Sequence, residues 1–351
     1  MSVQGRTING NVVANNGGNI TIKSENGAIA TTDFVTSDGI NQGGEVLLEA
    51  SGDLSVNQNI LSTSTEGIGG NITLRSENGA IATSAMLISE SRNQAGDISV
   101  DASENLDING NISSRGEIGG NITLNSEKGA IATTASLVSE GITQAGTISV
   151  DAAETLTTME TIIANSQDQA GDISLNAIGD LSVNRNIASR GEIGGNITLN
   201  SENGAIATTA PLVSEGSNQA GDISLHAIAD VSVNRNINSR GEIGGDITLR
   251  SENGAIATTA ALVSQGINQA GDISVEASEN LSVNGNIDSS GEIAGGNITL
   301  KSEKGAITTT AALVSQGTNQ AGDISLDASG NISVSVVLLL SLVLLMPEMS
   351  S

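Results

Sequence analysis

The chain has 351 residues and carries 13 Lys and Arg against 39 Asp and Glu, a formal charge of −26. A field of that sign repels phosphate backbones and anionic membrane surfaces, so nucleic acid is not an expected partner. There is no cysteine for a disulfide framework, and a single histidine, His226, excludes a His-based triad or a multi-histidine metal site within one chain.

Ile, Val, Leu and Ala supply nearly all of the 37% apolar content, and Phe34 is the only aromatic residue. Such a composition predicts a thin, regular core. Residues 1–8 contain no apolar stretch of the kind a secretory signal requires. Instead Ile8-Asn9-Gly10-Asn11-Val12 before Gly17-Gly18-Asn19 matches Ile108-Asn109-Gly110-Asn111-Ile112 before Gly119-Gly120-Asn121. The chain thus opens in mid-repeat and reads as a piece of a longer ancestor, with any export signal lost or encoded elsewhere.

Unit starts follow at Asn19, Glu45, Asn71, Asp97, Asn121, Thr147, Asp172, Asn196, Asp222, Asp246, Asp272, Asn297 and Asp323, which makes 13 starts spaced 24 to 26 residues apart. A repeat of that period decides the architecture, because each unit contacts only its neighbours. In Ile122-Thr123-Leu124-Asn125, Ile122 and Leu124 fall on one side and Thr123 and Asn125 on the other, the alternation of a half-buried strand. A second run holds Ile131, or Leu106 and Ile108 in the alternate type of unit, and a third holds Leu137 or Ile112. Turns of Glu-Asn-Gly, Asn-Gly or Ser-Arg-Gly-Glu separate the runs, so three strands per unit are predicted.

The expected fold is all-β: a right-handed parallel β-helix (solenoid) of about 13 coils over residues 1–335, a rod roughly 60 Å long at about 4.8 Å per coil. Ile197, Leu199 and Ile206 are expected inside, with Thr198 and Asn200 outside. Helices are excluded by β-branched runs broken by Gly and Asn, and a transmembrane barrel by the missing aromatic girdles. The unit starts Asn19, Asn71, Asn121, Asn196, Asp246 and Asn297 are 52, 50, 75, 50 and 51 residues apart, so one interval is one and a half two-coil units. Only equivalent stacked layers tolerate loss or gain of a whole coil.

Four positions after each start the outward column reads Lys23, Glu49, Arg75, Asp101, Asn125, Asp151, Asn176, Asn200, His226, Arg250, Glu276, Lys301, Asp327. Opposite charges alternate at both ends, and stacking predicts that they pair between coils and set register.

Gly-Gly-Asn-Ile-Thr-Leu (194–199) with Asn-Gly-Ala-Ile (203–206), and Leu-Ser-Val-Asn-Gly-Asn-Ile (281–287), resemble the repeats of filamentous-haemagglutinin-like exoproteins. The resemblance covers residues 1–335. It implies a parallel β-helix exported by two-partner secretion from a Gram-negative bacterium, secreted or held at the outer-membrane surface for adhesion. It also implies cell-surface glycans or proteins and an outer-membrane transporter as partners. The family's amino-terminal secretion domain, with its Asn-Pro-Asn motifs, has no match in this chain.

No catalytic residue is predicted, since none of the carboxylates breaks the repeat pattern, and His226 stands in the outward column as a surface residue. Asp222, Asp246 and Asp272 fall at one corner of three consecutive coils; they read as a solvated Asn/Asp ladder or, alternatively, as a weak Ca²⁺ site. No other cofactor is expected. Residues 336–351, with Val336 to Met346 almost wholly apolar, form an off-pattern tail too short for a confident membrane span. The leading functional reading is an adhesive structural rod without enzyme activity; the alternatives are a β-helical polysaccharide-acting enzyme and a non-functional fragment of an exoprotein gene.

Overall fold

The computed structural model describes residues 15–335 and 339–343. All regular structure among them is strand, with no helix, and therefore no helix long and apolar enough to cross a membrane. Successive strands cycle through three parallel sheets, so the chain is a β-solenoid of about thirteen coils. It divides into two compact units, Met1–Gly179 and Asp180–Ser351.

In the first unit the first sheet runs from Ile20–Ser24 to Ile173–Ala177, the second from Ile29–Thr31 to Leu156–Thr158, and the third from Val35–Gly39 to Ile162–Asn165. The register follows the repeat: Ile122 is the partner of Ile98 on one side and of Ile148 on the other. In the second unit the first sheet runs from Ile197–Ser201 to Ile324–Ala328 and the second from Leu181–Val183 to Ile332–Val334. Its third sheet begins at Ile187–Ile193 and ends at Leu339–Val343, inside the apolar segment read as off-pattern. Leu339 partners Leu313 and Ser341 partners Ser315, so this part of the tail keeps the backbone register of the coils before it. Residues 1–14, 336–338 and 344–351 lie outside the described residues.

The apolar part of the core is aliphatic, as composition required, and buried Ser and Thr side chains are set among it. In the coil that starts at Asp222, Ile223, Leu225, Ala227, Val231, Val233 and Ile237 are buried. Ile197, Leu199 and Ile206 are buried as well, while Thr198 and Asn200 point away from the core and are half-buried. Period-two alternation produces this split, because successive side chains leave a strand on opposite faces. Phe34 is 59% exposed, so the lone aromatic takes no part in the core.

Candidate functional site

The corner that opens each coil explains why its first residue is Asn or Asp in all but two coils, those starting at Glu45 and Thr147. The amide of Asp246 donates to Oδ1 of Asp222 at 2.8 Å, that of Asp272 to Oδ1 of Asp246 at 2.7 Å, and that of Asn297 to Oδ1 of Asp272 at 2.7 Å. The first unit repeats the arrangement, with the Asp97 amide on Asn71 Oδ1 at 2.8 Å and the Asn121 amide on Asp97 Oδ1 at 2.7 Å. At these corners a short side chain with an acceptor oxygen thus pairs the next coil's N–H. The preceding glycine is needed too: a Cβ on Gly271 would lie 2.7 Å from Asp246 Oδ1 and against the Gly245 carbonyl.

Asp222, Asp246 and Asp272 therefore do form a ladder of three exposed carboxylates. Partial burial pushes the Asp246 carboxyl above the ordinary aspartate value, and the like charges of Asp222 and Asp272 push the same way against the Asp272 amide bond. Each of the three spends Oδ1 on a backbone amide, and Asp272 Oδ2 also accepts from Asn297 Nδ2 at 3.3 Å. Among the described residues no three His, Cys, Asp or Glu side chains converge as a metal-binding group.

The outward column occupies the expected positions, with Lys23 opposite Glu49, Glu49 opposite Arg75 and Lys301 opposite Asp327. Its ion pairs follow the expectation only in part. Lys23 Nζ reaches Glu49 Oε2 at 2.5 Å, and this hydrogen bond, with the charges of Lys23 and Arg75, holds the Glu49 carboxyl below its usual value against the effect of desolvation. In the second unit, however, Arg250 turns along its own chain to Glu252 at 3.8 Å, and Lys301 to Glu303 at 3.5 Å. His226, half-buried, places Nε2 3.0 Å from Glu252 Oε1. Carboxylates in the turn after the strand compete for these long side chains because both are exposed and the pairing energies are small.

Two ladders were not foreseen. At the end of the third strand Arg115 pairs with Glu140 at 2.8 Å in the first unit, and Arg190 with Glu215 at 2.6 Å in the second. The signal was present in the alternation of Ser-Arg-Gly-Glu with Ser-Glu-Gly, which reads as a turn until the strand is extended by two residues. The other is a buried serine clamp. Ser264 Oγ donates to the Gly245 carbonyl at 2.8 Å and accepts the Gly271 amide at 2.8 Å; Ser139 does the same with Gly120 and Gly146.

Both units carry a shallow open groove just past this Arg position. In the second unit it measures about 450 Å³ and is lined by Arg240, Gln265, Ser290, Glu292 and Gln316, with Ile267 at its wall. In the first it measures about 330 Å³, between Arg115, Glu140, Asn165 and Ser166, with Ile142 in the equivalent place. Each combines a guanidinium, a carboxylate, a carboxamide, one serine and one exposed isoleucine, but no nucleophile–base pair held in a pocket. Compared with protein-family models, curated proteins and solved structures, the chain gives no match.

Proposed function

We propose that this solenoid is an adhesive structural segment of a surface exoprotein, secreted or held at the outer membrane of a Gram-negative bacterium. On this reading it contacts cell-surface glycans or proteins and is exported through an outer-membrane two-partner transporter. The observation that carries the proposal is a recurring surface chemistry: the grooves at Arg115 and at Arg240 each bring a guanidinium, a carboxylate, a carboxamide and an exposed isoleucine together, on partly different positions of the coil. Open sites of this kind bind weakly one at a time, and several on one chain multiply their effect through high local concentration. Guanidinium, carboxamide and hydroxyl groups suit the hydroxyl-rich face of a glycan. The repeat resemblance supports the export route.

Beads coated with the protein are expected to attach to cells or immobilised glycans, and Arg115→Ala with Arg240→Ala to reduce attachment by more than either change alone. Attachment that ignores both changes would remove the grooves from the account. A parallel screen against acidic and neutral polysaccharides is expected to show no cleavage; cleavage that survives repurification and disappears on changing one carboxylate would make the protein a β-helical polysaccharide-acting enzyme.

A further inference from the structure

Asn-Gly pairs recur along the chain, and the coil treats the glycine amide differently in its two kinds of turn. After the first strand of a coil a serine holds it: Gly79 donates to Ser76 Oγ at 3.0 Å, Gly204 to Ser201 Oγ at 3.0 Å and Gly254 to Ser251 Oγ at 2.9 Å. After the second strand, at Asn109-Gly110 and Asn284-Gly285, the glycine amide donates to nothing among the described residues. Of the other pairs, Gly17 donates to the Gln42 carbonyl at 2.7 Å, Asn26-Gly27 sits in the first described coil, and Asn9-Gly10 lies outside the described residues.

The same two turns present the asparagine for attack. Asn109 and Asn284 are exposed. Asn109 Oδ1 accepts from Thr134 Oγ1 at 2.7 Å and Asn284 Oδ1 from Thr310 Oγ1 at 3.0 Å, each threonine standing one coil further on. A hydroxyl donated to that oxygen draws electrons from Cγ and stabilises the negative charge that an attack there would build. Asn109 Nδ2 makes no hydrogen bond among the described residues, and Asn284 Nδ2 reaches Ser282 Oγ at 3.4 Å, whereas Asn78 Nδ2 is tied to the Ser51 carbonyl at 3.1 Å. The glycines are fixed by packing, since a Cβ on Gly110 would lie 1.9 Å from the Ala85 carbonyl oxygen and one on Gly285 1.9 Å from that of Ala260. The fold therefore keeps an amide without a flanking side chain next to each asparagine. In the equivalent turns at Asn184 and Asn234 a threonine donates in the same way, at 3.2 Å, but the following residue is Arg185 or Arg235, whose β-carbon crowds the nitrogen.

We infer that Asn109 and Asn284 are modification sites at which the folded chain deamidates through a succinimide, while Asn78, Asn203 and Asn253 are protected by their serines. The Gly110 nitrogen bonds to Asn109 Cγ, and its proton leaves with Nδ2 as ammonia. Water then opens one of the two imide carbonyls, which yields aspartate or, where the chain now runs through the former side chain, isoaspartate. No electrons are transferred, and water is the sole co-reactant. The serine protects because it fixes the glycine amide in the turn, so that the nitrogen cannot swing toward Cγ. Its free leaving group puts Asn109 ahead of Asn284. Each event adds a negative charge, and isoaspartate also adds a methylene to the backbone of a turn packed against the next coil.

The test is incubation of the full chain at mildly alkaline pH, with peptide mapping of aspartate and isoaspartate at each site over time. Asn109 is expected to convert first and Asn284 second, with Asn78, Asn203 and Asn253 far behind. In denaturant, where the serine and threonine contacts are gone, all five should convert at similar rates. Thr134→Val is expected to slow Asn109 about two- to tenfold, the rate equivalent of one hydrogen bond, and to leave Asn284 unchanged. Thr310→Val should do the reverse. Ser251→Ala should release Gly254 and speed Asn253 while Asn109 keeps its rate. The inference is overturned by serine-held sites that convert as fast as Asn109, by no conversion at Asn109 and Asn284 in the folded chain, or by the same order of sites persisting in denaturant. An unchanged Asn109 rate in Thr134→Val, or an unchanged Asn253 rate in folded Ser251→Ala, overturns it as well. Thr134 and Thr310 are exposed, so their variants decide the matter even where Ser251→Ala does not fold.

Discussion

The amide of Asp272 donates to a carboxylate oxygen of Asp246 one coil below it, at 2.7 Å. The bond needs an acceptor on a short stem, and it does not need a charge. Elsewhere in the column Asn does the same work: Asn297 accepts the Asp323 amide at 2.9 Å.

Asp246→Asn should therefore keep the bond and remove the repulsion from Asp222 and Asp272. Burial and those two charges raise the Asp246 carboxyl in the folded state, so the folded chain holds its proton more tightly than the unfolded one. This contribution to stability is full below the ordinary aspartate range and is lost as pH rises through the raised value. The Asn variant should melt higher at neutral pH, by at most about 1 kcal/mol given solvent screening, and should lose that part of the acid dependence. Thermal unfolding of both proteins between acid and neutral pH checks the sign; equal curves would mean that the carboxylate is fully solvated.

The serine clamp gives a second expectation. Ser264→Ala removes a hydroxyl that serves the Gly245 carbonyl and the Gly271 amide together, deep between coils. Leaving those groups without their buried partner should cost about 1–3 kcal/mol. Ala164 is the natural exception in the column, and near it the Gly171 amide donates to the Ala164 carbonyl at 3.3 Å instead. Ala164→Ser should accordingly cost little or stabilise, and denaturant melts of the two variants should move in opposite directions or by clearly different amounts.

How far these features can be read in advance depends on what each residue must satisfy. The strands were legible because alternation such as Ile122-Thr123-Leu124 is set by burial alone, and the coil number because the repeat counts itself. Partner choice among exposed charges was not: Arg250 faces Glu276 in register, yet its nearest carboxylate is Glu252. Exposed pairs differ by less than the energy that separates rotamers, so column order does not settle them. The clamp at Ser264 escaped notice because a Ser in a strand reads as outward and polar, while its fixed distance from the following Gly pair carries the information. The three aspartates were found as a ladder, but the amide bonds that explain them lie in the backbone of the next coil.

A third expectation concerns hydroxyls that lack partners. Thr208 and Thr258 are fully buried and their Oγ1 atoms make no hydrogen bond. Their register partners in the second sheet are valines: Val183 and Val233 flank Thr208, and Val233 and Val283 flank Thr258. Thr208→Val and Thr258→Val replace an unsatisfied hydroxyl by a methyl group of nearly the same shape. Each should stabilise by about 1 kcal/mol, and any departure from additivity in the double variant would report coupling through their shared neighbour Val233. A loss of stability in either variant would reveal a buried water or an unrecognised acceptor at that hydroxyl.

The last expectation tests the core itself. Ile197 is fully buried in a first-sheet strand and is the register partner of Ile223, which is buried in turn. Ile197→Asp puts a carboxylate at a fully buried position beside the aliphatic Ile223. Such a charge should cost more than about 3 kcal/mol, whether it is paid as desolvation or as a forced proton. Because each coil rests on its neighbours, the damage should spread, opening adjacent levels before distant ones. Hydrogen exchange resolved by residue is the measurement: amides around Ile223 should lose protection first and those around Leu300 last. Uniform loss across both would mean that the coils unfold as one cooperative block, and an unchanged melting temperature would mean that Ile197 faces outward.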